Sequence, residues 1–318
     1  MIEGIATWWM WAGFAVFVVV AIAVDLLALE KQGAHAVTTR EALAWSLLWV
    51  SLALLFAGGL WLWLDHSAGR ELANLKATEF LTGYLIEKSL AVDNIFVFLM
   101  LFTAFAVPAE QQKKALILGV IGAVVLRAIM ILIGAWLIAQ FHAILYIFGA
   151  FLLITGIKML VVAEHEPDLE KNPVLRWMRG HLAITGDFRG DRLWLTENGR
   201  RWFTPLFVVV MLVGVTDIIF AVDSIPAIFA ITTDPFIVMT SNIFAILGLR
   251  ALYFLLADMA GRFHLLKYGL AIVLVFIGTK MLIVEWYKIP VFVSLSAVGL
   301  ILAVSIGLSL LRPQGKSV

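Results

Sequence analysis

Nonpolar residues in this chain run in long stretches rather than at the spacing of an amphipathic helix or strand. Nine such stretches stand out, at about 8–29, 43–64, 80–105, 115–141, 143–163, 203–231, 235–257, 265–285 and 290–311. Each is near the ~20 residues that an α-helix needs to cross a bilayer. None alternates with the period of two that a membrane β-strand would show. The pattern predicts an all-α fold, a polytopic membrane helix bundle of about nine spans, with residues 1–318 forming a single transmembrane domain. The connections are short except at 164–202, where Glu164–Arg201 hold seven acids and seven bases. Pro173 ahead of Val174–His181 predicts a short helix within that loop. Asn198-Gly199, between Leu193-Trp194-Leu195 and Arg201-Trp202-Phe203, predicts a β-hairpin.

Composition narrows the class. The 318 residues are 63% hydrophobic and only 14% charged, against roughly 25% charged in a soluble domain, which excludes a soluble enzyme and a disordered chain. With no cysteine there is no disulfide, thiolate metal site or thiol nucleophile, so any metal would be held by oxygen or imidazole. The net charge of +1, with basic residues scattered, predicts no nucleic-acid partner. No Lys or Arg precedes Lys31, so the first stretch lacks the basic region of a signal peptide and reads as a retained span. If the nine spans hold, one membrane face carries fifteen Lys and Arg residues, seven of them in the long loop, and the other only Arg70, Lys76 and Lys288. That asymmetry predicts a cytoplasmic loop and C-terminus with the N-terminus outside. Trp8, Trp9, Trp11, Trp61, Trp63 and Trp286 fall near span ends, as an interfacial aromatic belt does.

The chain also repeats itself. Glu87-Lys-Ser-Leu-Ala-Val-Asp93-Asn-Ile95 matches Asp217-Ile-Ile-Phe-Ala-Val-Asp223-Ser-Ile225. Downstream, Arg127 matches Arg250, Phe141-His142 matches Phe263-His264, Tyr146 matches Tyr268, and Gly156-Ile-Lys158-Met-Leu160 matches Gly278-Thr-Lys280-Met-Leu282. Each copy, 80–163 and 203–285, contains three spans. An odd number forces the two copies into opposite orientations, an inverted three-plus-three repeat of the kind that builds alternating-access transporters.

Ten ionisable residues fall inside the predicted spans: Asp25, Glu87, Lys88, Asp93, Arg127, Lys158, Asp217, Asp223, Arg250 and Lys280. An ionised group at mid-bilayer costs at least ~2.5–3.5 kcal/mol, so these groups are expected to face the interior and pair or bind something. Lys158 and Lys280 lie near span ends and are expected to snorkel. Without them, five acids face Lys88, Arg127 and Arg250, a formal balance of −2 that one divalent cation or two protons would neutralise. Glu87 and Asp93 are six residues apart, about 9 Å along a helix and about 120° around it. One straight helix therefore does not aim both at a single ion. Pro226 cannot donate to the Val222 carbonyl, which leaves that oxygen beside Asp223 as a hard-cation ligand or the site as an ordinary kink and hinge. Asn94, Ser224, Ser241 and Asn242 offer neutral oxygens, or else hydrogen bonds between helices. Arg127 and Arg250 are expected to pair with the aspartates as fixed counter-charges, and Lys88 with Glu87. His142 and His264 read as interfacial or capping residues.

These motifs resemble the TerC/Alx family of bacterial inner-membrane proteins. The resemblance rests on 87–98, on 217–229 and on Thr240-Ser-Asn-Ile-Phe-Ala-Ile-Leu-Gly-Leu-Arg-Ala-Leu-Tyr-Phe-Leu256. With Leu81-Thr-Gly-Tyr84 and Tyr146-Ile-Phe-Gly-Ala-Phe151 it covers nearly the whole chain and is closest to the Alx branch. It implies manganese(II) export, a grouping with LysE-like transporters, and ion handling by Glu87, Asp93, Asp217 and Asp223. The family pattern has a Glu three residues before the first Asp of its second motif, where this chain has Gly214.

The expected function is secondary-active export of a divalent cation, manganese(II) foremost, with possible coupling to protons and no prosthetic group. Oxygen-only ligation suits Mn, Mg or Ca, and no phosphate-cradling loop is present. Two rivals share the residues. One is an intramembrane hydrolase using Asp93 and Asp223 as a carboxylate pair. The other is a tellurite-resistance scaffold acting through the long loop.

Overall fold

The computed structural model describes residues 4–32, 38–141, 143–162, 173–197, 199–257, 265–284, 286–287 and 289–311. The helices are α1 (Trp8–Gln32), α2 (Thr39–Ser67), α3 (Arg70–Ala104), α4 (Ala109–Gln140), α5 (Ala143–Val162), α6 (Pro173–His181), α7 (Pro205–Phe229), α8 (Pro235–Ile246), α9 (Leu249–Ala257), α10 (Leu266–Leu282) and α11 (Val291–Leu311). Two strands, β1 (Trp194–Glu197) and β2 (Arg200–Phe203), pair antiparallel, with Gly199 at φ +74° between them. The loop helix and the hairpin both lie where the turn chemistry predicts them.

Every predicted span is occupied by helix, so the protein is an all-α, multi-pass membrane bundle. Length and apolarity alone qualify fewer than nine spans. Among the described residues six helices pass (α1, α2, α4, α5, α7 and α11), and α8 with α9 makes a seventh if that bent pair is one span. The difference has two causes. α3 carries Glu87, Lys88 and Asp93 along its middle, and α10 is only 17 residues long. The apolar surface points outward, with Val16, Val19, Leu55, Ile154 and Leu300 all more than half exposed, as a bilayer-facing surface requires.

Local chemistry sets the helix starts. Thr38 and Glu41 form a capping box at α2. Thr204 accepts from the Phe207 amide ahead of Pro205 at the start of α7. Asp234 caps α8 ahead of Pro235 and also accepts the Ile5 amide at 3.1 Å, tying the N-terminal segment to α8. Phe14, Phe17, Phe56, Phe80, Phe236 and Phe244 then pack ring against ring and fix α8 to α1, α2 and α3.

Helices α5 and α10 run antiparallel in close contact. A Cβ on Gly278 would lie 2.6 Å from the Leu153 nitrogen and 2.8 Å from the Gly149 carbonyl. One on Gly156 would lie 2.8 Å from the Val275 nitrogen and 2.9 Å from the Ala271 carbonyl. Lys158 is exposed on α5, but Lys280 does not snorkel. It is 7% exposed because its end of α10 is packed against α5, α3 and α11. Gly278→Ala should cost about 1–3 kcal/mol through overpacking, read as a lower Tm of the solubilised protein. Gly58→Ala on α2, where a Cβ meets nothing within 4 Å, should not lower it.

Candidate functional site

Helices α4 and α7 approach closely at two levels. Gly119 faces Val213 and Gly134 faces Phe229, each too close for a Cβ. Arg127 lies midway between those contacts, about two turns from each, and is completely buried. Its Nη2 and Nε donate to the two carboxylate oxygens of Asp217 at 2.9 and 3.2 Å, a bidentate pair. Its Nη1 pairs with Glu87 Oε1 and donates to Ser224 Oγ at 3.4 Å. One guanidinium therefore joins α3, α4 and α7, and it brings together the matched acids of the two sequence copies. Glu87 is also fully buried, and its Oε2 has no hydrogen-bond donor among the described residues. As the structure stands, Glu87 and Asp217 are not free ligands, because Arg127 holds them.

The second matched arginine has a different partner. Arg250 forms a bidentate pair with Asp25 of α1, at 2.6 and 3.1 Å. It sits just past the break between α8 and α9, where the axis bends by 41°. Gly248 permits the break with φ +83°, and the Trp49 ring leaves no room there for a Cβ. Lys88 does not pair with Glu87. Its Nζ donates to the Ala245 carbonyl at 3.1 Å, at the C-terminal end of α8, where a cation suits both the unpaired carbonyls and the helix dipole.

Among the neutral oxygens, Ser224 takes the Arg127 contact, and Ser241 donates to the Val238 carbonyl within its own helix. Asn94 and Asn242 are 1% and 0% exposed, and neither amide has a partner among the described residues. Of the two roles open to them, the helix–helix hydrogen bond is not formed among the described residues. Asn94 is seven residues after Glu87, on the same face of α3. Pro226 is buried inside α7, which continues through it, and the Val222 side chain is 42% exposed. Asp93 and Asp223 lie in α3 and α7, but their side chains are outside the described residues, as are His142 and His264. Among the described residues no group of three or more His, Asp or Glu is placed to hold a metal.

One charged cluster was missed in the sequence. Lys76 bridges Glu79 at 2.9 Å and Asp234 at 3.5 Å. The three-residue spacing of Lys76 and Glu79 and the Asp-Pro start of α8 are signals that could have found it.

The multi-pass helical bundle agrees with the comparison to known proteins. The model of the "Integral membrane protein TerC family" matches residues 72–317. The chain belongs to the TerC family. Its relatives in that family include the "Putative membrane-bound redox modulator Alx" of Shigella flexneri, 58% identical over 289 residues, 91% of this chain and 90% of the relative. The Salmonella typhi protein of the same name is 55% identical over 297 residues, covering 93% and 92% of the two chains. A membrane protein of Myxococcus xanthus, STKORF319, is 48% identical over 305 residues, covering 96% and 93%. No solved structure matches. A Cβ on Gly214 would meet nothing within 4 Å, so no neighbour fills the space beside this glycine.

Asp25→Ala would strand Arg250, which is 4% exposed, as an unpaired buried charge. The expected cost is about 3–5 kcal/mol, measured as lost thermal stability, with Asp25→Glu recovering part of it.

Proposed function

We propose that this TerC-family protein is a secondary-active exporter of divalent cations, manganese(II) foremost, and not an enzyme. Charge balance carries this reading. Lys88, Arg127 and Arg250 are matched in number by Asp25, Glu87 and Asp217, and Lys76 and the buried Lys280 by Glu79 and Asp234, and the ion pairs described for these groups lie within the two sets. The remaining formal −2 belongs to Asp93 and Asp223, the matched aspartates of the two copies. A divalent cation neutralises two carboxylates in an apolar interior, where leaving both ionised and unpaired is costly.

In this proposal Asp93 and Asp223 bind the ion together with the Val222 carbonyl freed by Pro226. Glu87 and Asp217 act as further ligands or proton acceptors along the path. Asn94 and Asn242 contribute neutral oxygens, and their unpartnered amides support that role. The α8–α9 break resembles the discontinuous helices of transporters, and the close antiparallel contact of α5 with α10 is what copies of opposite orientation require. The proposed setting is the bacterial inner membrane, with the long loop and C-terminus cytoplasmic and export driven by a proton or ion gradient. The relatives' name refers to redox modulation. A chain without cysteine has no thiol to exchange, so an influence on redox state would run through the cargo.

The test is manganese(II) flux in proteoliposomes under an imposed pH gradient. Asp93→Ala and Asp223→Ala should each lower metal affinity by about 100-fold or more and reduce flux to that of empty liposomes. Flux unimpaired in both variants would overturn the assignment.

A further inference from the structure

The matched residues of the two copies are used unequally in the core. Glu87 and Asp217 are counterparts, as are Arg127 and Arg250, so a symmetric core would give both arginines the same claim on the acids. Instead Arg127 holds both acids, while Arg250 is bound to Asp25 on α1, outside either copy. Serving two carboxylates with one guanidinium leaves Glu87 Oε2 without a donor among the described residues, although Glu87 has no exposure. An unpartnered carboxylate oxygen in an apolar interior is costly, and a cation is the group that would relieve it.

We propose that Arg127 is the resident counter-ion of the transport path, holding Glu87 and Asp217 in alternation with the substrate cation. The proposal rests on the export reading above and adds the residue that lets the unloaded protein return. A secondary exporter must change conformation once with cargo and once without. With a divalent cation on Glu87 and Asp217 those two carboxylates are neutralised, and the displaced guanidinium needs another acceptor. With neither cation nor arginine, two ionised carboxylates would have to cross between states in a medium that penalises each.

Arg127 halves that charge. It suits the task because its planar fork reaches two carboxylates at once. A metal ion approaching Glu87 and Asp217 needs the oxygens that the guanidinium occupies, so metal binding and arginine release become a single exchange. Ser224, two turns along α7 from Asp217 and already within 3.4 Å of Nη1, offers the displaced guanidinium an acceptor beside Asp223.

The test uses the full-length protein with manganese(II) as probe, and measures binding, metal–metal exchange across the liposome membrane, and net efflux into metal-free buffer. Removing the competitor in Arg127→Gln should raise manganese(II) affinity by about tenfold, leave exchange in place and abolish net efflux. If folded Arg127→Gln loses binding and exchange along with net efflux, Arg127 is a structural clamp and the proposal is overturned. If the wild-type protein neither binds nor moves manganese(II), the export reading falls and this proposal with it. Should Arg127→Gln fail to fold, Arg127→Lys decides, because an ammonium keeps the charge but cannot fork across two acids. Raised affinity with slowed net efflux in that variant supports the exchange, and unchanged affinity overturns it.

Discussion

A guanidinium sealed from solvent, shared by two carboxylates more than a hundred residues apart in the chain, is the constraint on which the interior is arranged. It dictates that α3, α4 and α7 meet at one level, because no member of the set can be left behind without an uncompensated charge. The glycines at 119 and 134 follow from it. Arg127 reaches Asp217 only if α4 and α7 lie close on both sides of the arginine, and a larger residue at either glycine would hold them apart. The hydrophobic packing around this centre gives the bundle its bulk, and the arginine determines which helices are neighbours.

The two matched segments differ in the continuity of the helix that carries the arginine. In the first copy α4 is continuous from Ala109 to Gln140. In the second the same span is divided into α8 and α9, with Arg250 on the far side of a glycine that permits the bend. That bend turns Arg250 toward α1, a helix with no counterpart in either copy. The asymmetry is therefore local: the acids still converge, and only the second arginine has been assigned elsewhere.

Much of this could be read from residue spacing, and what could not has physical reasons. Mid-span charges are rare, so the acids and arginines at matched positions stood out against an apolar background, as did the hairpin turn at Asn198-Gly199. Partner choice was harder. Lys88 follows Glu87 directly, yet consecutive residues point about 100° apart around a helix, so its ammonium reaches α8 while the carboxylate reaches α4. The break after α8 falls in Leu247-Gly248-Leu249, an apolar run with a single glycine, which is a weak signal in sequence. It depends on the Trp49 ring filling the space beside Gly248, a contact between distant parts of the chain. Length and apolarity qualify fewer spans than the nine read from the sequence because α3 carries charges along its middle and α10 is short.

The contacts between α5 and α10 have one more property. The match places Gly149 opposite Ala271 and Gly156 opposite Gly278, a constant offset of 122 residues. Exchanging counterparts turns the Gly149–Gly278 contact into Ala271–Gly156, and both contacts exist. An interface that maps onto itself in this way is isologous, the form normally seen between identical subunits related by a two-fold axis. A half-length chain carrying one copy could thus have buried the same surface against a second molecule inserted in the opposite sense. Fusing the halves would then have freed each copy to change alone, as α4 and α8–α9 have done.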